Sequence, residues 1–230
     1  MTPATVVLVP AFNESKSLGS LIPEIRRYLP EVLVIDDGST DESARVAARA
    51  GASVLRHSKN SGKGAALQTG FQYVLEKGYE GCLVIDGDGQ HSPKDIPLFL
   101  KAAEETSAAM VIGNRMGDVR YMPIVRRLTN RLMSSVLSYL LKENIPDTQC
   151  GYRYIRSNLL KTIELQSLRY DIESELSIEA RRNGFHITSV PIQTIYSNEK
   201  SGIHPFRDTL RFLKLLYVKR DCFRHGKIGK

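Results

Sequence analysis

Cysteine is scarce in this chain of 230 residues: Cys82, Cys150 and Cys222 stand far apart, and their number is odd. That spacing supports neither a disulfide framework nor a CxxC metal site, so the three read as ordinary reduced thiols. Long apolar runs are missing as well. No stretch approaches the roughly 18 residues needed to cross a bilayer, and MTPATVVLVP has neither the basic start nor the length of a secretion signal. A cytoplasmic protein is therefore expected. Neither an internal repeat nor a Pro-, Gly- or Ser-rich linker divides the chain, which predicts one domain over residues 1–200 with a C-terminal extension over 201–230.

What is present suits an α/β domain with a sizeable core: 42% of residues are hydrophobic and 25% charged. The formal charge of +7 points to an anionic partner, whether a nucleoside diphosphate, a nucleic acid or an acidic membrane. TVVLVP (5–10) and VLVIDD (32–37) are continuous apolar runs, as in strands of a parallel sheet buried on both faces. Between them Leu18, Leu21, Ile22, Ile25 and Leu29 form a helical stripe. SVLRH, CLVID and AAMVIGNR read as further strands, separated by helices in ARVAARAGA, in GKGAALQTGFQYVLEKG and after Pro93. Such alternation predicts parallel strands with right-handed crossovers and ligands at the strands' carboxyl ends.

The second half changes character. Residues 122–142 put Val125, Leu128, Leu132, Val136 and Leu140 on one side of a helix, with Arg126, Arg127, Asn130 and Arg131 elsewhere on its surface. IESELSIEARRNG predicts another helix, ended by Gly184, before a strand in HITSVPIQTIY. The tail is basic and amphipathic, with Phe206, Leu210, Leu213 and Tyr217 at helical spacing.

The chemistry concentrates in LVIDGDGQHSP, where a strand delivers Asp86, Asp88 and Gln90 at i, i+2 and i+4. Two neighbouring carboxylates repel unless a cation lies between them, and Gln90 adds a third hard oxygen. An EF-hand is excluded, because its sixth and twelfth positions fall on His91 and Pro97. A Mg²⁺ or Mn²⁺ site that also grips a diphosphate remains. NSGKGAALQTG fails the Walker pattern, since His57 and Gly64 stand where glycine and Ser/Thr are required. Gly62 and Gly64 read as a turn and helix start, with Lys63 in reach of a phosphate. In DDGSTDES, Thr40 or Asp41 suits a helix cap, while Asp37 at a strand end can accept hydrogen bonds from a nucleobase or ribose.

In order along the chain, VPAFNE (9–14), VIDDGSTD (34–41), NSGKGAALQTG (60–70), DGDGQHSP (86–93), IGNR (112–115) and DTQCGYR (147–153) resemble the motifs of family 2 glycosyltransferases. The resemblance is to the polyprenyl-phosphate sugar synthases related to dolichyl-phosphate mannose synthase, and it covers about residues 4 to 196. It implies a GT-A (Rossmann-like) fold with a mostly parallel sheet, a nucleoside-diphosphate-sugar donor of the GDP-mannose or UDP-glucose type, a divalent metal, and inversion at the anomeric carbon. Carried over by motif, Pro10, Phe12 and Glu14 would line the nucleotide pocket with Asp37. Asp86, Asp88 and Gln90 would bind the metal, and Arg115 would face phosphate. Phe12 stands where relatives usually carry tyrosine, and VPIQTIYSNEKSG keeps a Lys200-Ser201 pair without an arginine before it.

Breaking a sugar–diphosphate bond builds negative charge on the leaving group, which a metal and Arg or Lys neutralise where water is excluded. With a polyprenyl phosphate acceptor the attacking oxygen is already anionic, and Arg126, Arg127, Arg131 and Lys200 are the cations available to it. With a saccharide or protein hydroxyl a base is needed, and Asp171, Glu173 and Glu175 are candidates. Their alternative is a solvated helix start, where acids suit the macrodipole. Segment 206–224 reads either as an interfacial helix giving peripheral membrane contact or as a helix packed on the domain or a second subunit. A non-catalytic nucleic-acid or membrane-surface binder would explain the basic charge but not the clustered carboxylates, so no nucleic acid is expected as partner.

Overall fold

Strand β1 (Thr5–Ala11) is buried at all seven residues, as its unbroken apolar run predicts. The computed structural model describes residues 5–117, 119, 122–195 and 205–220. Helix α1 (Ser15–Arg26) follows, burying Leu18, Leu21, Ile22 and Ile25. Next come β2 (Val32–Asp36), α2 (Ser43–Arg49), β3 (Ser53–Arg56), α3 (Lys63–Lys77) and β4 (Gly81–Val84). A 3-10 turn at Pro93–Asp95 leads into α4 (Ile96–Thr106), then β5 (Met110–Asn114). α5 (Ile124–Leu141), β6 (Arg153–Arg156), the short α6 (Ser157–Leu160), α7 (Ile172–Arg182), β7 (Ile187–Pro191) and α8 (Pro205–Val218) complete the order.

These strands form one seven-stranded sheet, β3-β2-β1-β4-β6-β5-β7. β1 pairs parallel with β2 and β4, β2 with β3, and β5 with β7. β6, where no local run predicts a strand, is the exception in a sheet expected to be mostly parallel. It inserts between β4 and β5 and runs antiparallel to both. The chain reaches it from the carboxyl ends of its neighbours, with Arg153 opposite Val84, so the only way into the sheet is backwards. Consequently residues 147–151, just before β6, lie where β4 releases Asp86. A Cβ at Gly151 would stand 2.6 Å from a carboxylate oxygen of Asp86 and 2.6 Å from Lys63 Nζ, so that approach requires glycine.

Two helical faces differ from the sequence expectation. On α5, Val125, Leu128 and Leu132 are 62%, 61% and 63% exposed, while Asn130, Met133, Ser134, Leu137 and Leu141 are buried. Hydropathy selects the wrong side because the inward face carries polar residues with specific partners: Asn130 donates to Asp147 Oδ1 at 2.8 Å and Ser134 Oγ receives the Thr148 amide at 3.0 Å. α7 was expected to begin in solvent as one alternative, yet Glu173, Glu175 and Glu179 are all buried.

Within the segment expected as a C-terminal extension, the described helix α8 packs on the rest of the fold. α8 lies against α5, with Phe212 and Leu215 buried in the common core, while Leu210, Leu213 and Tyr217 face outward at 52%, 54% and 67% exposure. Lys200, Cys222 and the side chain of Phe206 lie outside the described residues.

Candidate active site

A cavity of about 370 Å³ opens at the carboxyl ends of β1, β2 and β4, within the size range of small-molecule sites. One wall is the end of β1 and the turn after it, bearing Pro10 and then Phe12 and Glu14. Its shape is set by Asn13, whose φ of 58° is left-handed. The Asn13 side chain accepts the Thr40 amide at 2.9 Å, and its own amide donates to Ser39 Oγ at 2.9 Å. Asp41 joins the same corner, accepting the amides of Ser43 at 2.9 Å and Ser15 at 3.2 Å, the first residues of α2 and α1. Burial works against its charge, but the side chains of Ser43 and Ser15, and after them these two amides, bring the carboxyl down to about 2.

Asp37, expected to meet a base or ribose, lines the cavity but is held by the protein on both oxygens. Oδ1 accepts the Ser61 amide at 3.0 Å and meets His57 Nδ1 at 2.7 Å; Oδ2 accepts the Gly62 amide at 2.7 Å. Its carboxylate therefore fastens the glycine-rich segment to the end of β2. That segment starts α3 and delivers Lys63 into the cavity, where Nζ lies 2.6 Å from Asp86 Oδ1 and 2.7 Å from Glu173 Oε1. Burial opposes its charge, and the two carboxylates more than offset this, holding the ammonium well above the usual lysine range.

Asp86, Asp88 and Gln90 all reach the cavity. Burial resists the charge of Asp86, but Lys63 and His91 hold its carboxyl well below the usual range. Asp88 goes the other way, pushed up by burial and by the charge of Asp86. A divalent cation between them would relieve that repulsion, and an oxygen-only donor set suits Mg²⁺ or Mn²⁺. Among the described residues no three His, Cys, Asp or Glu side chains converge on a metal position. The two carboxylates therefore fit a metal whose shell is completed by water and substrate oxygens, and the residues present are compatible with such an ion.

Arg115, expected to face phosphate, lines the cavity but is 5% exposed and turns its fork to Asp147. Nε donates to Oδ2 at 2.7 Å and Nη2 to Oδ1 at 2.9 Å, with the Arg115 amide at 3.2 Å from Oδ2. Burial disfavours both charges; the pairing nonetheless raises the guanidinium and lowers the carboxyl.

Of the three acids proposed on α7, only Glu173 reaches the site. Its Oε2 is buried without a hydrogen-bond partner among the described residues. Asp171, expected as a catalytic candidate, instead borders a small crevice between α5, α7 and α8, because as the N-cap two residues before Glu173 it lies about 200° around the helix axis from that side chain. Glu175 points to the opposite side of the helix and accepts the amides of Gln166 and Ser167 at 3.0 and 2.8 Å. Arg127 is a second correction: Arg126 lines the cavity and Arg127 does not, since consecutive residues are rotated by about 100° around a helix. Sequence reasoning gave no role to Gln149, Arg169 or Tyr170, which complete the wall. The DTQCGYR motif pointed to the first; nothing local marked the other two.

The family described as Glycosyl transferase family 2 matches residues 6–164. The chain is 31% identical over 205 residues to a polyprenol monophosphomannose synthase from Mycolicibacterium smegmatis, covering 83% of this chain and 77% of that protein. It is 27% identical over 214 residues to a UDP-N-acetylglucosamine–dolichyl-phosphate N-acetylglucosaminyltransferase from Methanococcus voltae, covering 83% and 85%. Among solved structures, glucosyl-3-phosphoglycerate synthase from Mycobacterium tuberculosis with Mn²⁺, UDP and glucosyl-3-phosphoglycerate superposes with a TM-score of 0.74, at 21% identity over 95% of this chain and 80% of that one. That likeness establishes the GT-A fold, with its mostly parallel sheet. From the matching motifs, the carboxylate-lined cavity and these relatives together, the chain belongs to the family 2 glycosyltransferases, enzymes that transfer sugars.

Proposed function

We propose that the protein transfers a hexose, mannose or glucose, with inversion, from a nucleoside-diphosphate sugar to a polyprenyl phosphate, using Mg²⁺ or Mn²⁺. The observation that carries this reading is that Asp86, paired with the Lys63 ammonium, and Asp88 line one cavity together with Phe12 and Glu14. Asp86, Asp88 and Gln90 would hold the metal, which when bound offsets the charge that develops on the departing diphosphate. Lys63, Arg126 and Arg169 put further cationic side chains on the same wall, where desolvation strengthens their interaction with phosphate. Asp37 keeps the glycine-rich segment closed, and Phe12 offers an apolar surface for the nucleoside.

The acceptor assignment has two supports. Relatives are named for polyprenol and dolichyl phosphate acceptors. In addition, the outward faces of α5 and α8 combine exposed Val125, Leu128, Leu132, Leu210, Leu213 and Tyr217 with exposed Arg131, Lys214 and Arg220. Such an apolar and basic face suits reversible contact with an anionic bilayer, each basic side chain near the surface contributing about 1 kcal/mol. Among the described residues no helix is long and apolar enough to cross a membrane. An acceptor phosphate attacks without a general base. Glu173 Oε2 favours a second reading, a hydroxyl acceptor, because a buried carboxylate oxygen with no hydrogen-bond partner among the described residues is placed to take a proton.

The test is transfer from GDP-mannose and UDP-glucose to a short polyprenyl phosphate, a disaccharide and a hydroxyl peptide, with Mn²⁺ and with chelator. Sugar on the lipid phosphate that disappears with chelator is expected. Transfer confined to a hydroxyl acceptor moves the assignment to the second reading. Salt-sensitive sedimentation with anionic but not neutral vesicles checks the surface contact.

A further inference from the structure

The end of α8 makes a contact that the sugar-transfer reading leaves unused. Lys219 is 9% exposed, and its Nζ lies 2.9 Å from Glu175 Oε1 and 2.5 Å from Glu179 Oε1. Glu179 has a second cation in Arg182, at 3.5 Å. Glu175, fully buried, has only Lys219 as a cationic partner among the described residues. The other oxygen of Glu175 accepts the amides of Gln166 and Ser167. These begin the irregular segment 166–170, which supplies Arg169 and Tyr170 to the cavity wall.

The far side of that segment rests directly on the start of α3. The Ser167 carbonyl accepts from Gln68 Nε2 at 2.9 Å, and the Leu168 carbonyl from the Ala65 amide at 3.3 Å. A Cβ at Gly64 would lie 2.3 Å from the Ser167 oxygen, and one at Gly62 would lie 2.3 Å from the Leu168 oxygen. The segment is thus clasped between Glu175 behind and the glycine-rich turn in front, and Lys63 projects from that turn with Nζ 5.8 Å from the Tyr170 ring centre.

We infer that Lys219 is a positioning residue: through Glu175 it holds segment 166–170 against the Gly62–Gly64 turn, and so makes the donor wall of the cavity depend on the seating of α8. The physical ground is the cost of leaving two carboxylates one helical turn apart, buried and without their shared cation. Relief comes by letting Glu175 swing outward, which surrenders the Gln166 and Ser167 amides. The same helix bears the outward apolar face, so whatever orders α8 also orders this wall. The inference rests on the proposed donor site for its kinetic consequence alone.

Hydrogen–deuterium exchange on the full chain tests it. In Lys219→Met, the amides of Ala65, Gln166 and Ser167 should exchange about tenfold faster or more, while those of β1 and β2 stay near wild type. Lys219→Arg should recover most of the protection, and Lys214→Met, on the exposed side of α8, should leave the exchange of these three amides at the wild-type rate. Donor KM should rise in Lys219→Met more than kcat falls. If Lys219→Met does not fold, Lys219→Gln carries the same comparison with one donor retained. Unchanged exchange at 166–167, or a uniform increase that includes the central strands, overturns the inference. Selective exchange in a protein whose wild type transfers no sugar would leave the clasp standing and remove the proposed activity instead.

Discussion

Replacing Arg115 separates a ligand-binding arginine from one that builds the site. Its Nε–Nη2 edge is bidentate on Asp147, a residue with no exposure, and Asn130 donates to the same carboxylate. Arg115→Ala therefore strands a buried carboxylate with one side-chain donor, and breaking a buried pair from one side costs about 3–5 kcal/mol. For a chain of this size each kcal/mol lowers the melting temperature by about 2–4 °C, so a drop of about 6–20 °C is expected. Arg115→Lys restores a charge but not the planar fork and should recover only part of the loss. The assay is thermal unfolding of Arg115→Ala, Asp147→Asn and the double variant. If the residues act as a pair, the double variant loses clearly less than the two single losses added together. Additive losses, or an Arg115→Ala protein that melts with wild type while losing donor affinity, would refute the structural role and return Arg115 to direct phosphate contact.

Three further expectations follow from the site. Asp88→Asn removes a charged oxygen from the metal position and should lower turnover by about 100-fold or more; undiminished wild-type turnover in excess chelator would contradict the metal assignment. Gly64→Ala drives a methyl group to 2.3 Å from a backbone oxygen, so a loss of about 1–3 kcal/mol is expected in denaturant unfolding, and an unchanged midpoint would mean that segment 166–168 yields freely. Asp41, whose carboxyl falls from 3.8 to about 2 on folding, contributes stability that is present above about pH 4 and lost as pH falls toward 2. Partial solvation reduces that contribution to about 1 kcal/mol, so Asp41→Asn should narrow the stability gap to wild type at pH 2.5 relative to pH 7, and a constant gap would disprove the linkage.

Much of this protein is written locally. The runs at 5–10 and 32–37, the stripe on α1 and the strand-to-turn delivery of Asp86 and Asp88 depend on periods of 2 and 3.6 and on neighbouring residues, and each forms where the sequence predicts. The location of the cavity at the strands' carboxyl ends follows from the same alternation. Tertiary structure decided what distance in sequence conceals. β6 runs backwards between β4 and β5 because its preceding loop closes over the end of β4. The inward face of α5 is read wrongly by hydropathy, since its polar residues are satisfied by Asp147 and Thr148 from beyond the helix. Arg115 meets a carboxylate 32 positions away, Lys63 meets Glu173 across more than a hundred, and Lys219 reaches back to α7. A buried charge must find its counterion wherever the packed chain brings one, and no local pattern records which partner that will be.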